Sequence, residues 1–269
     1  MADSFGFFGG IDFSGAKEPL ANLWTAVGRQ DGGKLHILSL RPHAFRADLA
    51  GFLTEGWRGV AGAGGDARIL WGVDFACGLP AAAAKHLLDG RADWPALLAW
   101  VADRPPDEVR NGVPDELRTP RLTDAGGGLP PFDMRLYRQT VEGLRWLHEL
   151  REEAEVAVAP QAPDGDAGTL LIEVSPSFTT QDLGLPRRRA PSRPGEVRAR
   201  AAALRTFLSF ADPGCEAIAV TLEDAWDAVL CCLTAWLARD DLDQPYRTGR
   251  DREAIQLEGW IYRPPAAMG

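Results

Sequence analysis

Phe5-Gly-Phe-Phe-Gly-Gly-Ile-Asp-Phe-Ser-Gly15 is the stretch from which the fold class is read. It is apolar and glycine-rich to Ile11, reaches a carboxylate at Asp12 and turns at Ser14-Gly15, the pattern of a buried strand delivering Asp12 at its C-terminal end. The pattern returns in Arg68-Ile-Leu-Trp-Gly-Val-Asp74. Between the two lie strand-like runs from Asn22 to Val27 and from Lys34 to Leu40, with a hairpin signal at Asp31-Gly32-Gly33. A helical period follows from Ala44 to Trp57, with Phe45, Leu49, Phe52 and Leu53 on one face. The expectation is an α/β fold with three antiparallel strands, a right-handed crossover and a parallel fourth strand. Asp12 and Asp74 then emerge at the same sheet edge, where ligands bind in open α/β sheets.

Farther along, short helices are predicted over Ala81 to Leu88 and Trp94 to Ala102, then a Pro- and Gly-rich run to Asp133. A long amphipathic helix is predicted from Arg135 to Glu153 and a strand from Thr169 to Val174, with Glu173 embedded and Ser175-Pro176 ending it. A basic segment from Pro186 to Arg200 passes into a helix reaching Phe210. Ala217 to Val220 reads as a short strand, and Leu222 to Ala238 as an apolar helix carrying Asp224 and Asp227 near its start. No internal repeat appears. The organisation expected is one domain over residues 1–269 with a helical insertion at about 81–165.

Composition narrows the function classes. With 269 residues, 45% hydrophobic and 25% charged, the chain is neither a disordered polymer nor a disulfide scaffold. Its 38 acidic residues outweigh 29 basic ones for a net charge of -9, which opposes a general grip on polyphosphate. The local exception is the basic segment, where Arg187, Arg188, Arg189 and Arg193 are expected to hold phosphates of a nucleic acid or nucleotide. The four cysteines form no C-x-x-C pair, the N-terminus has no basic-then-apolar leader, and no apolar run reaches the roughly 18 residues of a membrane span. A cytoplasmic protein with reduced thiols and no membrane partner is expected.

Asp12, Asp74 and Glu173 lie within or just after apolar strands, where an isolated ionised group pays heavily for lost hydration. Asp224 and Asp227, three residues apart, share one helix face. Two carboxylates about 4 Å apart repel by about 4 kcal/mol at an effective dielectric near 20, and a divalent cation relieves that repulsion. Oxygen-only ligands favour Mg²⁺ or Mn²⁺, the ions of in-line phosphodiester cleavage. Asp12, Asp74, Glu173, Asp224 and Asp227 are thus the expected metal ligands. Local uses compete: a turn bond for Asp12, a cap for Asp74 or Asp224, and an ion pair between Glu173 and an arginine of the basic segment.

The blocks G-I-D-F-S-G-A-K (Gly10 to Lys17), V-D-F-A-C-G-L-P (Val73 to Pro80), R-L-T-D (Arg121 to Asp124), E-V-S-P-S-F (Glu173 to Phe178), D-A-W-D-A (Asp224 to Ala228) and E-G-W-I-Y (Glu258 to Tyr262) resemble domain-of-unknown-function family 429 over nearly the whole chain. The resemblance implies a ribonuclease H-like fold and a predicted nuclease. The D-x-x-D-A helix is similar to the metal-binding helix of RuvC-type resolvases, which implies catalytic roles for Asp12, Asp74, Asp224 and Asp227. This chain departs from those resolvases in carrying aspartate at Asp74, where glutamate is usual. The expected function is a divalent-metal-dependent nuclease or phosphodiesterase. The alternatives are a non-catalytic binding or regulatory protein on the same fold, with a protein partner or as a homodimer, and an actin- or sugar-kinase-type phosphotransferase. The last is suggested by Gly10 to Gly15, but the chain shows one such phosphate loop where those folds have two.

Overall fold

The structure is a computed structural model that describes residues 5–16, 22–125, 127–154, 156–163, 168–186 and 193–265. Strands β1 (Phe7–Asp12), β2 (Trp24–Asp31) and β3 (Lys34–Pro42) form the expected antiparallel meander. The chain then crosses through α1 (Arg46–Gly51), a π-helical stretch Phe52–Gly56 and α2 (Trp57–Ala61) into β4 (Ile69–Val73), which lies parallel to β1. Helices α3 (Ala81–Leu87), α4 (Trp94–Ala102), α5 (Pro106–Asn111) and α6 (Tyr137–Ala154) precede β5 (Ala157–Ala159) and β6 (Thr169–Val174). The remainder comprises α7 (Pro176–Asp182), α8 (Pro194–Phe207), β7 (Leu208–Phe210), α9 (Pro213–Thr221), α10 (Glu223–Ala238), α11 (Arg252–Glu258) and β8 (Ile261–Tyr262).

One eight-stranded mixed sheet results, in the order β5-β6-β4-β1-β2-β3-β7, with β8 also pairing with β6. Successive side chains point to opposite faces of the sheet, and β4 and β6 are buried throughout because helices cover both faces. Ile11, Trp71 and Val73 pack on one face with Leu49 and Trp57 of the crossover and with Leu97, Leu98, Leu144 and Leu147 of α4 and α6. The segment between β4 and β6 therefore shares this core instead of forming a lobe of its own. On the other face Phe8, Ala26, Ile37, Leu70 and Ile172 pack against α10.

The approach of α10 explains two glycines. A Cβ at Gly10 would lie 2.1 Å from the Ala228 carbonyl oxygen and 2.2 Å from the Cys232 nitrogen, and one at Gly72 would lie 2.5 Å from the Cys231 carbonyl oxygen. Bare backbone on neighbouring strands lets the helix settle directly on the sheet. Ala228 sits by Gly10, while the Cys232 thiol meets the Phe8 carbonyl at 3.2 Å, so α10 runs opposite to β1. Its first turn faces the strand end that carries Asp12.

Two local expectations are corrected. Ala217 to Val220 is part of α9, not a strand: Asp212 accepts a bond from the Gly214 N–H and Pro213 opens the helix, and four apolar residues have no period with which to distinguish the two. The helix expected to reach Phe210 stops at Phe207, because Leu208–Phe210 pairs alongside β3. Among the described residues no helix is long and apolar enough to cross a membrane.

His43, just beyond β3, is buried, and its Nε2 lies 2.9 Å from the Thr25 hydroxyl. Burial first and Arg41 second depress the imidazole from 6.5 to about 4, against an opposing pull from Asp48. Because the native value lies below the unfolded one, the stabilisation is present above pH 6.5 and is lost as pH falls toward 4. Urea midpoints should show a loss on the order of 1–2 kcal/mol over that window, allowing for solvent screening, and His43→Gln should flatten it. Gly10→Ala should cost about 1–3 kcal/mol through overpacking against α10, measurable as a lower urea midpoint with an unchanged slope.

Candidate functional site

The site begins where β1 and β4 end. Ile11 and Val73 are register partners, and the Asp74 N–H continues the ladder to the Ile11 carbonyl at 3.1 Å. Parallel neighbours stand about 4.8 Å apart. Phe13 and Phe75, one residue on, meet on the α4–α6 face with ring centroids 4.7 Å apart. Alternation therefore sends Asp12 and Asp74 together toward the α10 face. Asp12 is buried and Asp74 half-buried at the lip of a cleft.

Two residues that sequence reasoning did not single out hold these strand ends. The Gln139 amide on α6 donates from Nε2 to the Phe13 carbonyl at 2.8 Å and the Asp74 carbonyl at 2.5 Å, joining the two strands beyond their last ladder bond. Arg46 on α1 donates to the carbonyls of Ser14 at 3.0 Å and Ala16 at 2.6 Å and pairs with Glu142 at 3.1 Å. A glutamine and an arginine on amphipathic helices read as solvated polar positions, so no sequence signal marks them.

The cleft lies outside the C-terminal ends of β4 and β6 and offers about 160 Å³ of accessible space. Asp74, Gln139, Thr140, Ser175 and Ser177 line it alongside Leu129, Leu136 and Phe178. Arg121 and Glu173 stand at its floor, and they belong to a buried network.

A guanidinium has five N–H donors. Those of Arg121 reach Glu173 Oε1 at 2.6 Å, Glu173 Oε2 at 2.8 Å, Asp124 Oδ1 at 2.9 Å, Asp124 Oδ2 at 3.3 Å and the Glu258 carbonyl at 2.9 Å, which uses all five. Glu173 also accepts the Cys77 N–H at 2.8 Å, and the Glu258 carboxylate accepts the N–H groups of Ala81 and Leu122 at 2.8 and 2.6 Å. Burial works against the Arg121 charge, but Glu173 and Asp124 hold it above its ordinary value. Burial raises the Glu173 carboxyl despite the opposing pull of Arg121 and the Cys77 N–H. Gly259, at φ 76°, passes so close that a Cβ would lie 2.6 Å from Gln161 Nε2 and 3.3 Å from Glu173 Oε2. The R-L-T-D, E-V-S-P and E-G-W blocks and Cys77 thus meet in one structural knot.

The five expected ligands are not gathered into one cluster: among the described residues, no three His, Cys, Asp or Glu side chains are arranged to hold a metal ion. Asp12 and Asp74 are neighbours. Glu173 is committed to Arg121, and among the described residues no arginine of the basic segment pairs with it. Asp227 is fully buried, and its charge, with those of Glu223 and Glu196, counteracts the lowering that burial imposes on Arg200, a buried arginine of α8 stacked 4.5 Å over Trp226. Asp224 is half-buried in the first turn of α10. Arg193 is exposed just before α8, its N–H donating to Glu196, whereas Arg187, Arg188 and Arg189 lie outside the described residues.

Arg121→Met should cost about 3–5 kcal/mol at pH 7, because it strands buried carboxylates without their cation. The raised native value of Glu173 means that its protonated form favours folding, fully so below its ordinary 4.5 and decreasingly as pH rises through the native value. The variant should accordingly lose less near pH 5 than at pH 7 in urea unfolding. Comparison with protein-family models, with curated proteins and with solved structures finds no match to this chain.

Proposed function

We propose that the chain is a divalent-metal-dependent phosphodiester hydrolase with a ribonuclease H-like fold, acting on nucleic acid or a nucleotide. The observation that carries the reading is that Asp12 and Asp74 each stand one residue past the register pair Ile11 and Val73, at the ends of adjacent parallel strands near the first turn of α10. The meander followed by parallel strands, in the order β3-β2-β1-β4-β6, supports the fold assignment, as does the resemblance to domain-of-unknown-function family 429.

The donor set fits Mg²⁺ or Mn²⁺. Mg²⁺ commonly takes only one or two protein carboxylates and completes its octahedron with water and substrate phosphate oxygens, so a pair suffices without a third acid. When bound, the ion lowers the pKa of a coordinated water and neutralises charge on the phosphoryl oxygens. Asp12 and Asp74 would hold the ion. Gln139 keeps their strand ends at fixed separation, and Asp224, on the helix turn facing them, is the candidate to orient the attacking water. Asp227, deeper in the core, balances the buried charge of Arg200.

The absence of a third gathered carboxylate among the described residues favours a second reading, a binding protein that retains the fold and does no chemistry. One experiment separates the two. Calorimetric titration with Mg²⁺ and Mn²⁺ should give a saturable isotherm in the wild type that weakens at least about tenfold in Asp12→Asn and Asp74→Asn, isosteric changes that preserve packing. Cleavage of single-stranded and duplex oligonucleotides should be lost in the same variants. Metal binding without cleavage in the wild type supports the binding protein, and no metal binding removes the hydrolase reading.

A further inference from the structure

We infer that the cleft beside Asp74 is a subsite for one uncharged nucleobase and its sugar, so that substrate is taken up as an unpaired nucleotide and not gripped as a duplex. The inference rests on the phosphodiesterase reading for the position of the scissile bond.

Arg121 is the only cation among the described lining residues, and all five of its N–H groups are already used by Glu173, Asp124 and the Glu258 carbonyl. Its guanidinium has no donor to offer a phosphate. The interior therefore suits an uncharged group, with the phosphodiester left outside at the Asp12 and Asp74 pair. A duplex-binding face, in contrast, neutralises several phosphates with lysine and arginine.

The walls define the class of group. Leu129, Pro131, Leu136 and Phe178 supply apolar surface for a planar ring, and Leu129 keeps 39% of its surface exposed at the rim. Thr140, Ser175 and Ser177 bring hydroxyls, each both donor and acceptor. Base edges carry the same mixture of donors and acceptors, and they become accessible to a pocket when the base is unpaired. With about 160 Å³ of accessible space, the cleft is smaller than the roughly 300–1,000 Å³ of drug-sized ligand sites, so it admits one small group such as a base, with the sugar at the open mouth. Gln139 links the two parts: it lines the cleft and clamps the strand ends that bear the carboxylates.

The test is calorimetry on the full chain with adenosine, guanosine, cytidine and uridine, and separately with inorganic phosphate, each with and without Mg²⁺. At least one nucleoside should bind saturably without metal, and phosphate should not. Ser177→Trp, an exposed position at the mouth, should weaken nucleoside binding at least about tenfold while the Mg²⁺ isotherm stays unchanged. Leu129→Asp, on the opposite chemistry, should weaken it as well. Failure of all four nucleosides to bind, binding of phosphate without metal, or an unaltered nucleoside isotherm in Ser177→Trp would each overturn the subsite. Nucleoside binding by a protein that takes up no Mg²⁺ keeps the subsite and removes the hydrolase. Metal-dependent cleavage of duplex without nucleoside binding does the reverse.

Discussion

The guanidinium of Arg121 ties together segments far apart in sequence: the loop after β4, the turn that holds Asp124, the end of β6 at Glu173 and the passage from α11 into β8 at Glu258. Taking such charges out of water is expensive, and the expense is offset only where donors and acceptors are matched completely. Here every guanidinium N–H has an acceptor, and the carboxylates of Glu173 and Glu258 also collect backbone N–H groups. The geometry of the knot sets where β6 ends relative to β4. That in turn shapes the floor of the cleft beside Asp74.

A second constraint acts from the other side of the sheet. Gly10 and Gly72 are register partners on β1 and β4, and α10 presses its backbone onto both. The helix cannot slide far without meeting a side chain on a neighbouring strand. Its first turn, with Asp224, is thereby aimed at the strand ends. The knot and the helix seat together leave a rigid edge, and rigid elements hold functional groups in place better than mobile loops do. Gln139 and Arg46 complete that edge by fastening backbone carbonyls that the sheet ladder no longer reaches.

The disposition of acids follows from this architecture. Glu173 had the sequence context of a ligand, an acid inside an apolar strand, but that context only states that a buried carboxylate needs a partner. Arg121 meets the need. Asp227 is similar: a fully buried acid on α10, it moderates the cost of a buried arginine on α8. Asp12 and Asp74 lie instead just past the C-terminal ends of the ladder between adjacent parallel strands, the position at which ligands bind in open α/β sheets.

What the sequence by itself determined was the local pattern: apolar strands ending on Asp12 and Asp74, the Asp31-Gly32-Gly33 hairpin, the long periods of α6 and α10, and hence the α/β class with an antiparallel-then-parallel sheet. Those readings rest on periodicity and turn chemistry, which act over a few residues. The short strands β5, β7 and β8 and the end of α8 were decided by tertiary structure, since two or three residues carry no period and become strands only when an edge is available to pair with. The partner of Glu173, the burial of Asp227 and the clamp made by Gln139 were decided in the same way. Each depends on groups from 52 to 126 positions apart or on the seat of a helix, and no local spacing records which buried donor an acid will meet once the layers have packed.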